Sequence, residues 1–116
     1  PTGLERYVSR LGLNNAKRLF MTAEKLGAEE LLRIGYLTQL VAPAELDAAV
    51  EQLATTLANG APLAVQGMKK ALNEIGHGKL DVAACAERAR LCKESEDIQE
   101  GLAAFREKRA PVFHGR

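Results

Sequence analysis

The sequence predicts a mainly α-helical protein, and three observations support this prediction. Apolar residues recur with the 3.6-residue period of an amphipathic helix along nearly the whole chain. Glycine and proline stand where helices would begin and end, and only one short stretch has the character of a strand. The 116 residues, 47% hydrophobic and 27% charged, suit one modest globular domain.

The first part of the chain is predicted to hold short elements. Three segments have a helical pattern: residues 3–11, 14–23 and 28–34. Gly12 separates the first two, and Gly35 ends the third because glycine readily adopts the left-handed conformation that follows a helix. Residues 38–41 (Thr-Gln-Leu-Val) are the one strand candidate, although no second strand is predicted to pair with them.

Longer helices are predicted to follow. Pro43 stands where the fixed φ of proline suits a first helical turn. Residues 46–57 carry an unbroken apolar stripe, and Gly60 is expected to end their helix in the left-handed conformation. A second stripe begins after Pro62 and ends at Gly76.

Residues 80–94 form another predicted helix, and Ser95 can cap the helix that closes the chain. Charged residues at the two ends of this closing helix complement its dipole: Glu96, Asp97, Lys108 and Arg109. Three apolar residues are expected to face inward: Ile98, Leu102 and Phe105. Pro111 prevents the helix from continuing.

Charge and hydropathy argue against two classes of partner. Sixteen basic and fifteen acidic residues are interleaved and give a net charge of +1, so no charged block indicates binding to nucleic acid or to a membrane. No apolar run reaches the roughly 18 residues of a membrane span, and no signal peptide is recognisable. Because the chain begins at Pro1 rather than Met, we expect an N-terminal portion of the protein to precede it.

The two cysteines are predicted to be free thiols. Cys85 and Cys92 lie seven residues apart in a helical pattern, which separates them by roughly 10 Å along the axis, whereas a disulfide needs Cα atoms within about 7 Å. Neither has a second cysteine or a histidine at the spacing of metal ligands. Unpaired thiols suit a reducing compartment, so we expect a cytoplasmic protein without a metal site.

Five stretches, in order along the chain, resemble the C-terminal part of the crotonase (enoyl-CoA hydratase/isomerase) family: residues 1–12, 15–22, 28–41, 61–69 and 100–113. The closing stretch, with Glu100-Gly101, Ala104-Phe105 and then Glu-Lys-Arg-Ala-Pro-Val-Phe, is the most specific. The resemblance implies that residues 1–41 end the crotonase core, with short helices and one strand. It also implies that residues 42–116 form a helical C-terminal oligomerisation domain.

The resemblance implies a substrate class and an assembly. The family binds acyl-CoA thioesters and stabilises an enolate through two backbone N–H groups while carboxylates move protons. Its catalytic glutamates lie before the glycine-rich turn that Gly3 matches, so no catalytic residue is expected in this chain. No tightly bound cofactor is expected, because coenzyme A belongs to the substrate. A homo-trimer or hexamer is expected.

Lys108 matches a family lysine that contacts the phosphates of coenzyme A, and it is the one ligand-binding residue that the resemblance implies. The alternative is that Lys108 only complements the helix dipole, and Arg109 is a weaker candidate for the same contact. Phe105 is expected to pack in a core or between subunits. Ala89 aligns where some family members place a phenylalanine against the adenine, which puts that contact in doubt.

Other polar and small residues have a structural interpretation. Gly3 is expected near the family's active site, where its lack of a side chain permits close backbone approach. Solvent-exposed, packing or loop roles are expected for a further set: Tyr7, Glu5, Glu29, Glu30, His77, Glu100 and His114. Two hypotheses for the whole chain remain. One is the C-terminal portion of an enoyl-CoA hydratase/isomerase, inactive alone and self-associating, and the other is a stand-alone, non-catalytic helical interaction domain.

Overall fold

A computed structural model describes residues 3–116 and confirms the mainly α-helical prediction. Six α-helices, numbered in chain order, occur in this part: α1 Gly3–Thr22, α2 Ala28–Arg33, α3 Leu46–Ala58, α4 Pro62–Gly76, α5 Val82–Glu94 and α6 Glu96–Glu107. A short 3₁₀ turn, Pro43–Glu45, leads into α3. No strand occurs among residues 3–116.

The chain divides into two compact units. The first ends at Leu46 and the second spans Asp47–Arg116. The predicted division into residues 1–41 and 42–116 concerned the roles of the two parts, and those roles stay predictions.

In the first unit, Gly12 interrupts α1. Its φ of 72° and ψ of 163° lie outside the helical region, so α1 consists of two helical segments, as the sequence predicted. The two segments fold onto each other through Tyr7, whose ring meets Phe20 edge-on with centroids 4.9 Å apart. Tyr7 also stacks on Tyr36 at 5.9 Å. The packing role expected for Tyr7 is therefore confirmed.

An ion-pair cluster joins α1 to α2. Arg18 contacts Glu24 at 2.7 Å and Glu30 at 2.6 Å, and Arg33 contacts the other oxygen of Glu30 at 2.6 Å. These guanidinium groups, Arg33 first and then Arg18, lower the pKa of Glu30 to about 2. The expectation that Glu30 is simply solvated is wrong, because it accepts from two arginines.

The strand expected at residues 38–41 is absent, and this expectation was wrong. A strand needs a neighbouring strand to receive its backbone hydrogen bonds, and residues 3–116 offer none. The end of α2 follows the prediction. Gly35 adopts a φ of 81°, and the backbone N–H of Tyr36 returns to the Leu31 carbonyl at 2.9 Å.

The helix α3 carries its predicted apolar stripe, and the rest of residues 3–116 leaves it exposed. Four large apolar side chains on the stripe are between 54% and 58% exposed: Leu46, Val50, Leu53 and Leu57. Such an exposed face suits the self-association expected of the chain, which stays a prediction.

Gly60 ends the α3 region for a different reason from the one predicted. Its φ is not positive, so the expected left-handed conformation is wrong. A Cβ atom at Gly60 would lie 2.7 Å from Cγ2 of Val65, which is far inside van der Waals contact. Glycine is therefore required because the first turn of α4 approaches the backbone closely. Pro62 begins α4, as expected.

An ion pair and a helix cap set the position of α5. Arg88 contacts Glu74 of α4 at 2.7 Å, and both side chains are more than four-fifths buried. The Asp81 carboxylate accepts from the Ala84 N–H at 2.9 Å, so α5 begins at Val82 rather than Leu80. Cys85 and Cys92 are free and partly buried, as predicted.

Candidate functional site

The candidate site lies at the C-terminal end of α6 and in the segment that follows it. Ser95 caps the start of α6 as predicted, because its Oγ accepts from the Ile98 N–H at 3.3 Å. The same hydroxyl donates to the Cys92 carbonyl at 2.7 Å, which links the cap to the end of α5. The turn between the two helices is thereby held by one side chain.

Residues 109–116, called here the C-terminal strap, run back along α6 towards its beginning. The Glu100 carboxylate accepts from the Val112 N–H at 2.8 Å. One turn earlier, the Asp97 carboxylate accepts from the His114 N–H at 2.7 Å and the Gly115 N–H at 2.8 Å. The Glu96 N–H donates to the Arg116 carbonyl at 2.7 Å. Carboxylates on α6 therefore accept hydrogen bonds from backbone N–H groups of the strap, which has no regular secondary structure.

The strap decides which face of α6 is buried. Asp97 is 4% exposed and Ala104 is 1% exposed. Between them, a Cβ atom on Gly101 would lie 3.6 Å from the Phe113 ring. The small side chains on this face let Phe113 and the strap approach the helix closely.

The inward orientation expected for three apolar residues of α6 is therefore wrong. Ile98, Leu102 and Phe105 are 41%, 51% and 85% exposed. These three residues lie on a different stripe of α6 from Asp97, Gly101 and Ala104, and they are not part of a core. The expectation that Phe105 packs within a core fails in this chain, and its packing between subunits stays a prediction.

Lys108 follows the last residue of α6 in the left-handed conformation, with φ 54° and ψ 39°. This conformation costs a residue with a side chain about 1–2 kcal/mol, so the surrounding contacts must compensate for it. The Arg109 N–H donates to the Ala104 carbonyl at 3.1 Å, which closes the turn around Lys108. The Lys108 side chain is exposed at the tip of this turn.

The two adjacent cations differ in their partners. Arg109 donates to both oxygens of Glu100, at 2.6 and 2.8 Å, and to Glu107 at 2.6 Å. Within residues 3–116, no carboxylate lies within ion-pair distance of the Lys108 ammonium. Lys108 is the cation of this pair that remains available for a ligand, whereas the Arg109 guanidinium is occupied.

Glu100 is held ionised by its partners. The Arg109 guanidinium and then the Val112 N–H lower its pKa to about 2, and the carboxylates raise the pKa of Arg109. The sequence interpretation of Glu100 as a solvated residue is wrong, because the side chain is only 24% exposed and bridges α6 to the strap.

The remaining candidates are exposed or have structural partners. Glu5 and Glu29 are exposed, as expected, and so is Ala89. The His77 ring lies 2.6 Å from the Asn73 carbonyl, at the end of α4. Gly3 begins α1, and a Cβ atom there would meet nothing within 4 Å. None of these residues forms a catalytic pair with another.

Sequence reasoning missed Asp97 and Glu100 as anchors of the strap. Their spacing of one helical turn places both carboxylates on one face, which is a detectable signal. Their partners, however, include backbone N–H groups up to 18 residues away. Every residue type except proline carries such a group, so the sequence does not show which one is bound. Asp97 was interpreted only as a charge that favours the helix N-terminus.

Two further classes of site are absent from residues 3–116. No group of three or more histidine, cysteine or acidic residues in this part could hold a metal ion. No helix in the described part of the chain is both long and apolar enough to cross a membrane.

Comparison with known proteins assigns the chain to a family. The model of the enoyl-CoA hydratase/isomerase family matches residues 1–116. The chain is 34% identical over 109 residues to a short-chain-enoyl-CoA hydratase of Clostridium acetobutylicum, covering 92% of this chain and 42% of that protein. It is 38% identical over 104 residues to carnitinyl-CoA dehydratase of Escherichia coli, covering 84% of this chain and 40% of the relative.

Solved structures agree in fold. An enoyl-CoA hydratase from Bacillus anthracis superposes with a TM-score of 0.79 and 27% identity, covering 98% of this chain and 45% of that one. The chain thus spans less than half the length of these relatives. The match over all 116 residues shows that the chain belongs to the enoyl-CoA hydratase/isomerase (crotonase) family and has the fold of its helical C-terminal region.

Proposed function

We propose that this chain is the C-terminal part of an acyl-CoA-processing enzyme of the enoyl-CoA hydratase/isomerase type. The observation that carries the proposal is the family match over all 116 residues. The similar proteins include an enoyl-CoA hydratase and a carnitinyl-CoA dehydratase, both named for lyase reactions on a CoA thioester. Within that enzyme, the chain contributes a surface for subunit assembly and part of the coenzyme A site.

The contribution to the coenzyme A site comes from Lys108. The phosphates of coenzyme A are anionic, and a cation within a few ångströms attracts them. Lys108 projects from the turn after α6, is exposed and has no carboxylate partner among residues 3–116. Coenzyme A enters here as the thioester portion of the substrate, and no other cofactor is part of the proposal.

The acid–base chemistry belongs to residues outside this chain. Arginines engage the Glu30 and Glu100 carboxylates, and backbone N–H groups engage Asp97, so none of these three is free to move protons. We therefore propose that the isolated chain is catalytically inactive. The test is hydration of crotonyl-CoA by the isolated chain and by the intact enzyme. Turnover by the intact enzyme alone is expected, and turnover by the isolated chain would contradict the proposal.

The contribution to assembly comes from exposed apolar faces. Besides the stripe of α3, three large side chains of α4 are between 57% and 68% exposed: Met68, Leu72 and Ile75. Exposed apolar area on this scale is typical of surfaces that another chain covers. A homo-trimer or hexamer is the proposed assembly.

The free thiols of Cys85 and Cys92 suit a cytoplasmic location.

The exposed stripe of α3 also suits the second candidate, a stand-alone helical interaction domain without catalysis. The coding sequence before Pro1 discriminates between the two. Strand repeats with glutamates before the position of Gly3 support the enzyme, whereas a start codon close to Pro1 supports the interaction domain.

A further inference from the structure

The Lys108 turn is built from an unfavourable backbone conformation that needs external support. Lys108 has a φ of 54°, and residues with a side chain keep such a conformation only where their surroundings enforce it. The capping N–H of Arg109 returns to α6 on the C-terminal side of Lys108. Two side chains of α6 then hold Arg109: Glu107 at 2.6 Å and Glu100 at 2.6 and 2.8 Å.

Glu100 clamps the strap at two points on the C-terminal side of this turn. Its two oxygens receive the Arg109 guanidinium at 2.6 and 2.8 Å, the bidentate geometry that gives the strongest carboxylate contacts. One of these oxygens also accepts from the Val112 N–H at 2.8 Å. The clamp therefore holds both the side chain next to Lys108 and the backbone beyond it.

The clamp also separates the roles of the two cations. Arg109 is drawn along the helix towards Glu100, whose side chain is 24% exposed. Lys108 is left at the tip of the turn with no carboxylate in ion-pair distance among residues 3–116. If the clamp opened, Arg109 would keep only Glu107 as a side-chain partner, and the turn at Lys108 would lose the Glu100 contacts on its C-terminal side.

We propose that Glu100 is a positioning residue that holds the Lys108 turn and so presents Lys108 to a phosphate of the acyl-CoA substrate. This inference rests on the ligand role proposed for Lys108. In this role Glu100 acts through Arg109 and the Val112 N–H and makes no contact with the ligand.

The test compares two substrates of the intact enzyme, crotonyl-CoA and crotonyl-pantetheine, which lacks the nucleotide phosphates. Glu100→Gln keeps the shape of the side chain but removes the charge that holds Arg109. This variant and Lys108→Ala are each expected to raise the KM for crotonyl-CoA about three- to tenfold, the range of one partly exposed charged contact. The kcat for both substrates and the KM for crotonyl-pantetheine are expected to stay within about twofold of the values of the parent enzyme.

The double variant shows whether the two residues act together. If Glu100 acts through Lys108, Glu100→Gln adds nothing further to the loss caused by Lys108→Ala. Glu96→Gln is the matched control, because Glu96 lies on the same helix and pairs with Arg116 rather than with residues next to Lys108. This control is expected to leave both KM values unchanged.

Several results would overturn the inference. The first is a rise in KM that is equal for both thioesters, and the second is a fall in kcat. The third is a rise in KM caused by Glu100→Gln that adds to the rise caused by Lys108→Ala. If Lys108→Ala raises the KM for crotonyl-CoA and Glu100→Gln does not, only the inference about Glu100 is wrong. If Lys108→Ala leaves this KM unchanged, the ligand role of Lys108 is wrong as well. Should Glu100→Gln fail to fold, Arg109→Met opens the same clamp from the strap and must reproduce the substrate dependence.

Discussion

The Asp97 carboxylate accepts the backbone N–H of Gly115 at 2.8 Å, although 18 residues separate the two in the chain. Its other oxygen accepts the His114 N–H at 2.7 Å, so a buried, charged side chain is satisfied by two backbone donors. A buried carboxylate is costly unless it is paired in this way. The contact fixes the C-terminal strap on α6, where the Phe113 ring lies against Gly101.

Asp97→Asn should loosen the strap. The amide of asparagine can accept from only one of the two N–H groups and places its own NH₂ against the other, so about 1–3 kcal/mol of unfolding free energy should be lost. Urea unfolding measures the loss, and amide exchange of His114 and Gly115 locates it. Glu96→Gln is the control, because Glu96 is 73% exposed, and it should change stability by less than about 0.5 kcal/mol. Equal stability of the two variants would contradict the anchoring role of Asp97.

Gly60→Ala should destabilise the second unit because of the close approach of Val65. The new methyl group would lie 2.7 Å from Val65 Cγ2, and the β-branched side chain can turn away only at a cost, so a loss of about 1–3 kcal/mol is expected. Thermal unfolding measures it, and the added change Val65→Ala should recover part of the loss.

A matched glycine serves as the control for this substitution. Gly67 lies inside α4, where a methyl group would meet the Arg88 Cβ at 3.7 Å, an ordinary contact. Gly67→Ala should stabilise the helix by up to about 1 kcal/mol. Similar destabilisation by both substitutions would show that the crowding at Gly60 is not the cause.

Stability should fall at acid pH through Glu30 and Glu100. Both have a pKa lowered from 4.5 to about 2 in the folded protein. A lowered pKa means that their stabilising contribution is complete above the unfolded value of 4.5 and is lost as the pH falls towards 2. The urea midpoint measured from pH 7 to 2 should therefore decline below about pH 5. The Glu30→Gln/Glu100→Gln variant should start lower and decline less, and a parallel decline would exclude these two groups as its source.

The apolar stripe of α3 should drive self-association. Leu53 and Leu57 are 54% and 57% exposed, and a lysine at Leu53 would place a charge in any surface that covers them. Leu53→Lys should lower the weight-average mass of the intact protein in sedimentation equilibrium. Thr55→Lys, on the same helix, is the control, because Thr55 is exposed and lies on the face opposite the stripe. A monomeric parent protein would rule out assembly through this face.

Local signals were enough to predict most helix ends. Gly12 breaks α1, Pro62 begins α4 and Ser95 caps α6, because each acts on backbone groups within four residues of itself. The two local errors have different causes. Residues 38–41 lack a partner strand, and Gly60 is required by the approach of Val65 rather than by a positive φ.

The candidate site was predictable only in part. The exposed cation at the end of α6 followed from the sequence, together with the resemblance that named Lys108. Which of the two adjacent cations is free did not follow, because it depends on Glu100 reaching Arg109 nine positions later and bridging to the Val112 N–H.

By itself, the sequence determined the helical class, the positions of the long helices and the free state of both cysteines, since periodicity, caps and spacing are properties of neighbouring residues. Only the tertiary structure decided which face of α6 is buried. The stripe with the larger apolar side chains is left exposed, and the stripe with Asp97, Gly101 and Ala104 is covered. The physical reason is that the strap needs acceptors for its backbone N–H groups and a surface flat enough for Phe113.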